Sequence, residues 1–342
     1  MKRRNFLNTM FSAAAGMGLS SCVADDGSKV GRKSILHNGS FSVDGNRVTY
    51  YLDGISEPVK IIQVTDTHLW MDDERGEPFR QYSARMARAY NQTQHLITGD
   101  ATNPEEAFKE VLKMAVEKEA DLFAMTGDIF SFPSEAAIDW VKEKVEESGL
   151  KYLFVSGNHD WHYEGMEGSI HHLRETWINK RLMDLYQGKD PMMAAYDIKG
   201  VTVLAIDNAT YEVTPDQLEF FKGHASAERP VALMMHIPMY APGRSIWFGC
   251  GNPDWGAATD RNYDLEGRER WPEEGHTKTT MDYHRQVFTA PDLLGVFAGH
   301  SHRQSVDLIK GIPQFVAAPN AAGAYLEIDI LPLEGKNRQV LS

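Results

Sequence analysis

Residues 155–160 read Val155-Ser156-Gly157-Asn158-His159-Asp160 and follow directly on the apolar run Tyr152-Leu153-Phe154-Val155. A short apolar run closed by a polar turn reads as a buried strand, and open α/β sheets bind their ligands just beyond the carboxyl ends of strands. The turn is therefore an address for chemistry. Gly157 lets the backbone turn tightly, Asn158 offers an amide oxygen and His159 an imidazole. Asp160 offers a carboxylate that can accept a hydrogen bond from the ring of His159 and favour its imidazolium. Four further clusters follow apolar runs in the same way: Asp66-Thr67-His68, Gly127-Asp128, His236 and Gly299-His300-Ser301-His302.

Outward from this turn, the chain alternates strand and helix patterns. Strands are expected at 47–52, 60–65, 122–126 and 152–155, with helices at 78–90, 104–118 and from Pro133-Ser134 to about Gly149. Phe108, Val111, Leu112 and Ala115 give the second helix its i, i+3, i+4 stripe. This order implies a largely parallel sheet with helices on its faces. Downstream, a hairpin turning at Lys199-Gly200 and a short helix capped by Thr214 with Pro215 in its first turn precede strands at 230–235 and 293–298. The end of the chain, at 305–309, 314–317 and 324–331, reads as antiparallel strands. Residues 241–280 lack periodicity and are punctuated by Gly and Pro, the pattern of a lid-like insertion.

The clustered side chains are oxygen and imidazole nitrogen donors, which suit Zn, Mn, Fe or Ni better than a soft thiolate site does. Together, in this order, the five clusters resemble the signature of the calcineurin-like metallophosphoesterase superfamily over roughly residues 59 to 303. The resemblance implies an α/β fold, a four-layer α/β/β/α sandwich of two mixed sheets. It implies two metal ions, divalent or trivalent, of Mn, Zn, Fe or a mixed pair. One would be held by Asp66, His68, Asp128 and His302, the other by Asp128, Asn158, His236 and His300, with Asp128 as the bridge. It further implies hydrolysis of phosphate esters, monoesters with diesters as the alternative, by a metal-bridging hydroxide, with His159 and Asp160 as catalytic residues. Purple acid phosphatases differ: they carry Asp-x-Gly in the first motif and a metal-bound Tyr three residues after the Asp of Gly-Asp, where this chain has His68 and Ser131.

Between two of the strands expected to carry ligands, the insertion holds Arg244, Trp247, Phe248, Trp255, Arg261, Tyr263, Arg268, Arg270 and Trp271. Arginine and aromatic side chains suit a phosphate and its organic substituent, so Arg244 and Trp247 are candidate substrate contacts, with His162 beside the Gly-Asn-His-Asp turn as a third. The Gly-Asp of Thr98-Gly99-Asp100 reads as turn chemistry, His171-His172 as a solvated helix face, and Cys250 has no paired base to make it a nucleophile. The alternative of a metal-bound scaffold without catalysis is disfavoured, because no ligand position is missing.

The first 21 residues read as a signal peptide, with Lys2-Arg3-Arg4 before an apolar stretch, Phe6 to Leu19, too short to span a bilayer. Leu19-Ser20-Ser21-Cys22 resembles a bacterial lipobox and Arg3-Arg4-Asn5-Phe6-Leu7 a twin-arginine signal. The expectation is an exported lipoprotein, in the periplasm or at the cell surface, anchored by lipid on Cys22 through a flexible tether over 22–45. A single globular domain would follow at 46–335. The formal net charge of −13 opposes nucleic acid as a partner and points to a small phosphorylated substrate held at a local cationic site.

Overall fold

The structure is a computed structural model and describes residues 39–333 apart from 88, 91, 227, 246–247, 257 and 260–274. The signal peptide, Cys22, Trp247 and most of the insertion's arginines and tryptophans lie outside the described residues. β1 (Ser40–Asp44) and β2 (Arg47–Leu52) form a hairpin. β3 (Val59–Val64) leads through α1 (Arg80–Met86) and α2 (Pro104–Glu117) to β4 (Leu122–Thr126). α3 (Glu135–Ser148) then leads to β5 (Tyr152–Val155), and α4 (Ile170–Trp177) follows. β6 (Met193–Ile198) and β7 (Val201–Ile206) form the second hairpin, after which α5 (Pro215–Ala225), β8 (Val231–Met234), α6 (Lys278–Val287) and β9 (Leu293–Ala298) alternate. β10 (Ser305–Ile309), β11 (Ile312–Val316) and β12 (Leu326–Pro332) complete the order.

Helix starts are written in the sequence. Asn103 accepts from the Glu106 N–H and Pro104 fills the first turn of α2. Ser134 caps α3, which stops at Gly149 in a left-handed conformation. Thr214 and Gln217 close a reciprocal capping box on α5.

The strands assemble into two six-stranded mixed sheets, β1-β2-β12-β3-β4-β5 and β10-β11-β9-β8-β7-β6. β3, β4 and β5 run parallel, as do β7, β8 and β9, because helical crossovers join them. Alternation along each strand then builds the layers. Val59 and Ile61 of β3 pack with Leu122, Leu153, Met234 and Phe297 between the sheets. Ile62 and Val64 face outward onto Phe108, Val111, Ile138 and Val141 of α2 and α3. On the far side, Leu204, Leu233 and Val296 meet Leu218 and Phe221 of α5 and Tyr283 and Val287 of α6. The result is the expected α/β/β/α sandwich.

Three local expectations need correction. Residues 40–44 are strand and not tether, held because the Phe41 ring packs on Tyr50 and Phe315, with centroids 5.7 and 6.1 Å away. The final strands are not all antiparallel: β11 runs parallel to β9, and β12 inserts between β3 and β2, antiparallel to the first and parallel to the second. The insertion gives way to helix at Lys278, capped by Thr277; α6 buries only Thr280, Tyr283 and Val287, too sparse a stripe to show in the sequence.

One polar residue ties the two sheets together near their functional ends. Gln63 is fully buried, and its Nε2 donates to Thr126 Oγ1 at 2.8 Å within its own sheet and to the Ala298 carbonyl at 3.2 Å in the other. Gln63→Leu would remove the bond that crosses between the sheets while the Ala298 carbonyl keeps the Ala317 N–H at 2.9 Å, so the loss is that of one hydrogen bond, about 0.5–1.5 kcal/mol. Urea denaturation of this variant should show a lower midpoint at unchanged slope; an unchanged midpoint would mean that Gln63 does not hold the sheets in register.

Candidate metal centre

All five clusters emerge where the two sheets meet, and backbone pairing continues past the strand ends to hold them. Asp66 N–H donates to Gly127 O at 3.0 Å, His68 N–H to Asp128 O at 2.9 Å, and Gly299 N–H to His236 O at 2.9 Å. With those bonds in place, five candidate ligands adopt left-handed backbone: Asp66 (φ 53°), His68 (52°), Asp128 (52°), His300 (68°) and His302 (53°). Such conformations cost on the order of 1 kcal/mol or more for a residue with a side chain, and they cluster at functional sites. Two of the motif glycines are explained by space. A Cβ on Gly157 would fall on the Asp128 carboxylate, and one on Gly127, itself at φ 89°, would fall on the His236 ring.

The side chains form two groups. Asp66, His68 and His302 offer one ligand atom each, all within 4.8 Å of one another, and Asp128, His236 and His300 do the same. In the first group His302 Nε2 lies 3.2 Å from Asp66 Oδ1 and 3.0 Å from His68 Nε2. In the second, His236 Nε2 lies 3.1 Å from Asp128 Oδ2, and that same oxygen is 4.0 Å from His68 Nε2. One carboxylate oxygen thus stands between the groups. Asn158, 4% exposed, lines the same cleft as Asp128 and His300.

Hydrogen bonding leaves the inward atoms for a cation. His236 Nδ1 sits 3.0 Å from the Thr126 carbonyl, which fixes the proton there and turns a lone pair on Nε2 toward Asp128. Tyr211 Oη is 2.7 Å from His300 Nε2, so His300 presents Nδ1. Asp66 Oδ2 accepts from Thr65 Oγ1 and the His300 N–H, both at 2.9 Å. Asp66 Oδ1, Asn158 Oδ1 and His236 Nε2 are buried without a hydrogen-bond partner among the described residues. Buried acceptors converging in two groups fit a pair of cations, and the donor set is hard to borderline.

The electrostatics agree. Burial opposes charge on His236, but the Asp128 and Asp66 carboxylates outweigh it and raise its pKa to about 9. Burial likewise opposes charge on His302, and Asp66 overcomes it, so its pKa is raised. Burial pushes Asp66 up, and His302 and His236 more than reverse this, to about 2. His300, dominated by burial and by the neighbouring His236, falls to about 3. Without metal, protons on His236 and His302 balance the two carboxylates, occupying the places a cation would take.

Asp160 departs from expectation. Its Oδ2 accepts from the Asp128 N–H at 2.9 Å and the Gly157 N–H at 2.6 Å, and its Oδ1 accepts from the Phe130 N–H at 2.8 Å. It is a backbone staple and does not orient His159. Burial and then Asp128 push its pKa up, while the N–H groups of Gly157 and Phe130 pull against them. His159 Nδ1 has no partner among the described residues, and burial lowers the ring's pKa despite Asp128, so the expected resident imidazolium is also corrected. The His159 N–H, by contrast, donates to Asp128 Oδ1 at 2.8 Å.

The cleft over the groups encloses about 890 Å3 and is lined by His159, Arg244, Phe248, Ser301 and Arg303 among others. Arg244 Nε donates to Asp307 Oδ1 at 2.8 Å, and its guanidinium lies 5.0 Å from the Phe248 ring centroid. His162 is not on the loop's surface: it is buried and lines an adjoining cavity. Sequence reading missed Tyr90, whose ring stacks on His68 at 4.2 Å, and Tyr211, since neither lies in a motif. Tyr211 could have been flagged only as an aromatic five residues beyond the end of strand β7. Ser131 Oγ donates to the His68 carbonyl at 2.9 Å. Thr98-Gly99-Asp100 forms a turn on His95, and His171 and His172 are exposed.

Comparison with known proteins agrees with this geometry. The family model described as calcineurin-like phosphoesterase matches residues 59–304. A dimetal phosphatase from Danio rerio superposes with a TM-score of 0.50 at 12% identity, covering 79% of this chain and 92% of its own. A purple acid phosphatase from yellow lupin seeds gives a TM-score of 0.45 at 11% identity, covering 86% of this chain and 58% of its own. No curated protein sequence matches the chain. At such identity the Danio rerio superposition speaks to the fold alone, while the family match spans all five clusters in their order; the chain belongs to the calcineurin-like phosphoesterase family and is a metal-dependent hydrolase of phosphate esters.

Proposed function

We propose that the chain is a dinuclear phosphomonoesterase acting on a small phosphorylated substrate. Asp66, His68, Asp128 and His302 hold one ion, and Asp128, Asn158, His236 and His300 the other. The observation that carries this reading is Asp128 Oδ2, 3.1 Å from a nitrogen of one group and 4.0 Å from a nitrogen of the other. A pair of Zn, Mn or Fe ions held there would supply Lewis acidity and lower the pKa of a bound water. The chain's own residues do the rest. The cleft's arginines, Arg244 and Arg303, favour the second negative charge of a monoester, and Phe248 backs the Arg244 guanidinium. His159, beside the groups in the cleft wall, donates a ring N–H to a phosphoryl or leaving oxygen. A bound phosphate dianion favours its protonated form, which makes it a proton donor to the leaving alkoxide.

We also propose export and anchoring through lipid on Cys22. The basis is the sequence alone, since residues 1–38 lie outside those described, and no helix among the described residues is long and apolar enough to cross a membrane.

Asp128→Asn should lower the affinity for both ions at once, by 10- to 100-fold or more given what outer-sphere changes alone cost. Elemental analysis after dialysis should find fewer than two ions; two retained ions would remove Asp128 from the bridge. Calorimetry of the wild type in buffers of different ionisation enthalpy should show proton release on metal uptake below pH 9, because His236 must give up a proton it holds up to about that pH.

His159→Ala should keep both ions and slow alkyl phosphates by about 10²- to 10⁴-fold, with a smaller loss on aryl phosphates whose phenols are acidic. Asp160→Asn should instead lower the melting temperature and metal content with no leaving-group dependence, because it weakens a staple of three backbone bonds. Equal slowing of all esters by His159→Ala would reduce His159 to an electrostatic element. A panel in which diesters outrun monoesters would overturn the monoester preference. For the anchor, Cys22→Ser should release the protein from the membrane fraction or leave it unprocessed; unchanged fractionation and processing would remove the lipid from the account.

A further inference from the structure

The cleft wall formed by Tyr90 and His159 has a second cavity behind it, of about 330 Å3. Both residues line both spaces, so the wall is shared. Met86 and Ala89 give the cavity apolar sides, and at its rim Arg85 Nε donates to Glu164 Oε2 at 2.8 Å, so the charges there cancel. Its polar feature is His162, 3% exposed, with neither ring nitrogen hydrogen-bonded among the described residues. Burial pulls this imidazole's pKa down to about 3, so it stays neutral and carries one N–H donor and one acceptor. The sequence explains why it is there. Trp161 is fully buried against the α2, α3 and α4 side of the first sheet, which locks the chain so that the next side chain turns into the cavity.

A neutral, largely apolar cavity with a buried, unsatisfied donor and acceptor is suited to an uncharged ring bearing one polar group. Its position is equally telling. A phosphate held as proposed above, with His159 at its ester oxygen, would aim the substituent on that oxygen at the wall the two spaces share.

We propose that this cavity is the leaving-group subsite, built for an uncharged aromatic substituent whose hydroxyl or amide hydrogen-bonds His162. The inference rests on the phosphomonoesterase reading and narrows its substrates to arylmethyl and aryl phosphates with a polar ring substituent. In the reaction the ester P–O bond breaks, a water oxygen takes its place on phosphorus, and the departing oxygen leaves protonated as the ring-bearing alcohol. The same cavity would hold that alcohol as product.

The test uses the metal-loaded protein and three esters of similar leaving-group type: propyl, benzyl and 3-hydroxybenzyl phosphate. Wild-type kcat/KM should rise in that order. Ala89→Trp, at an exposed rim position, should fill the cavity and reduce the preference for benzyl over propyl phosphate by about 10-fold or more. His162→Leu should keep the benzyl preference and lose the added preference for the 3-hydroxyl group. A second measurement separates this inference from the one beneath it. Binding of 3-hydroxybenzyl alcohol, read by calorimetry, requires no turnover; it should be present in the wild type, weakened about 10-fold in His162→Leu and lost in Ala89→Trp. If no ester is hydrolysed but the alcohol binds with this pattern, the monoesterase reading falls and the subsite stands. If the alcohol does not bind, or folded Ala89→Trp binds and discriminates as the wild type does, the cavity holds only water and the proposal is overturned.

Discussion

The carboxylate of Asp160 collects three backbone N–H groups from two loops, and the position of Asp128 depends on it. Oδ2 takes the N–H groups of Asp128 and Gly157, Oδ1 that of Phe130. The loop after β4 is thereby clamped to the loop after β5. Only then can the His159 N–H reach Asp128 Oδ1 at 2.8 Å, which sets the carboxylate's rotation and leaves Oδ2 toward the histidines. A metal site held in this way is a property of backbone register. That is why Gly157 and Gly127 must be glycines, since any side chain would displace the carboxylate or the ring beside it.

The same frame absorbs the strain. Asp66, His68, Asp128, His300 and His302 all sit at positive φ, and each conformation is locally unfavourable for a residue with a Cβ. What holds them is pairing carried past the strand ends. Asp66 alone receives bonds at its carbonyl from Ala321 and at its carboxylate from Thr65 and His300, while its own N–H donates to Gly127. Because Ala321 precedes β12 and His300 follows β9, this residue joins the two sheets at their rim. Integrity of the sandwich and geometry of the site are therefore one constraint, and Gln63, one layer deeper, acts on both.

How much of this was legible in the sequence follows from the range of each interaction. The five clusters could be read because each is a local event, an apolar strand followed by a polar turn, and their order specified the fold family. β4, β5 and β9 were legible to the residue for the same reason, as unbroken apolar runs buried on both faces. Asp160 was read as an orienting group for its neighbour His159, whereas its bonds reach back about thirty residues to Asp128 and Phe130. Tyr90 and Tyr211 touch ligand histidines from outside any motif, and no periodicity marks them. β12 belongs between β2 and β3, a pairing across nearly the whole chain that strand propensity does not reveal.

The insertion shows how such long-range support links substrate contacts to the ligand groups. At its start, Asn208 Nδ2 donates to the Ile237 carbonyl at 2.7 Å and to Cys250 Sγ at 3.2 Å, so one side chain holds both the residue after His236 and the insertion at Cys250. At its end, Glu212 Oε1 lies 3.1 Å from His276 Nδ1, and Glu212 Oε2 accepts from Thr277 Oγ1 at 2.7 Å, next to Tyr211. Tyr211 meets His300 at its hydroxyl and packs its ring edge-on against Trp255, with centroids 5.0 Å apart. A displacement of the insertion at either anchor must therefore move a residue that orients an imidazole, His236 through Ile237 or His300 through Tyr211. Arg244 lies between those anchors and is itself tied to Asp307 on β10. The segment that lines the substrate cleft is in this way supported by the same residues that aim the second ligand group, so substrate contacts and ligand orientation share one set of anchors.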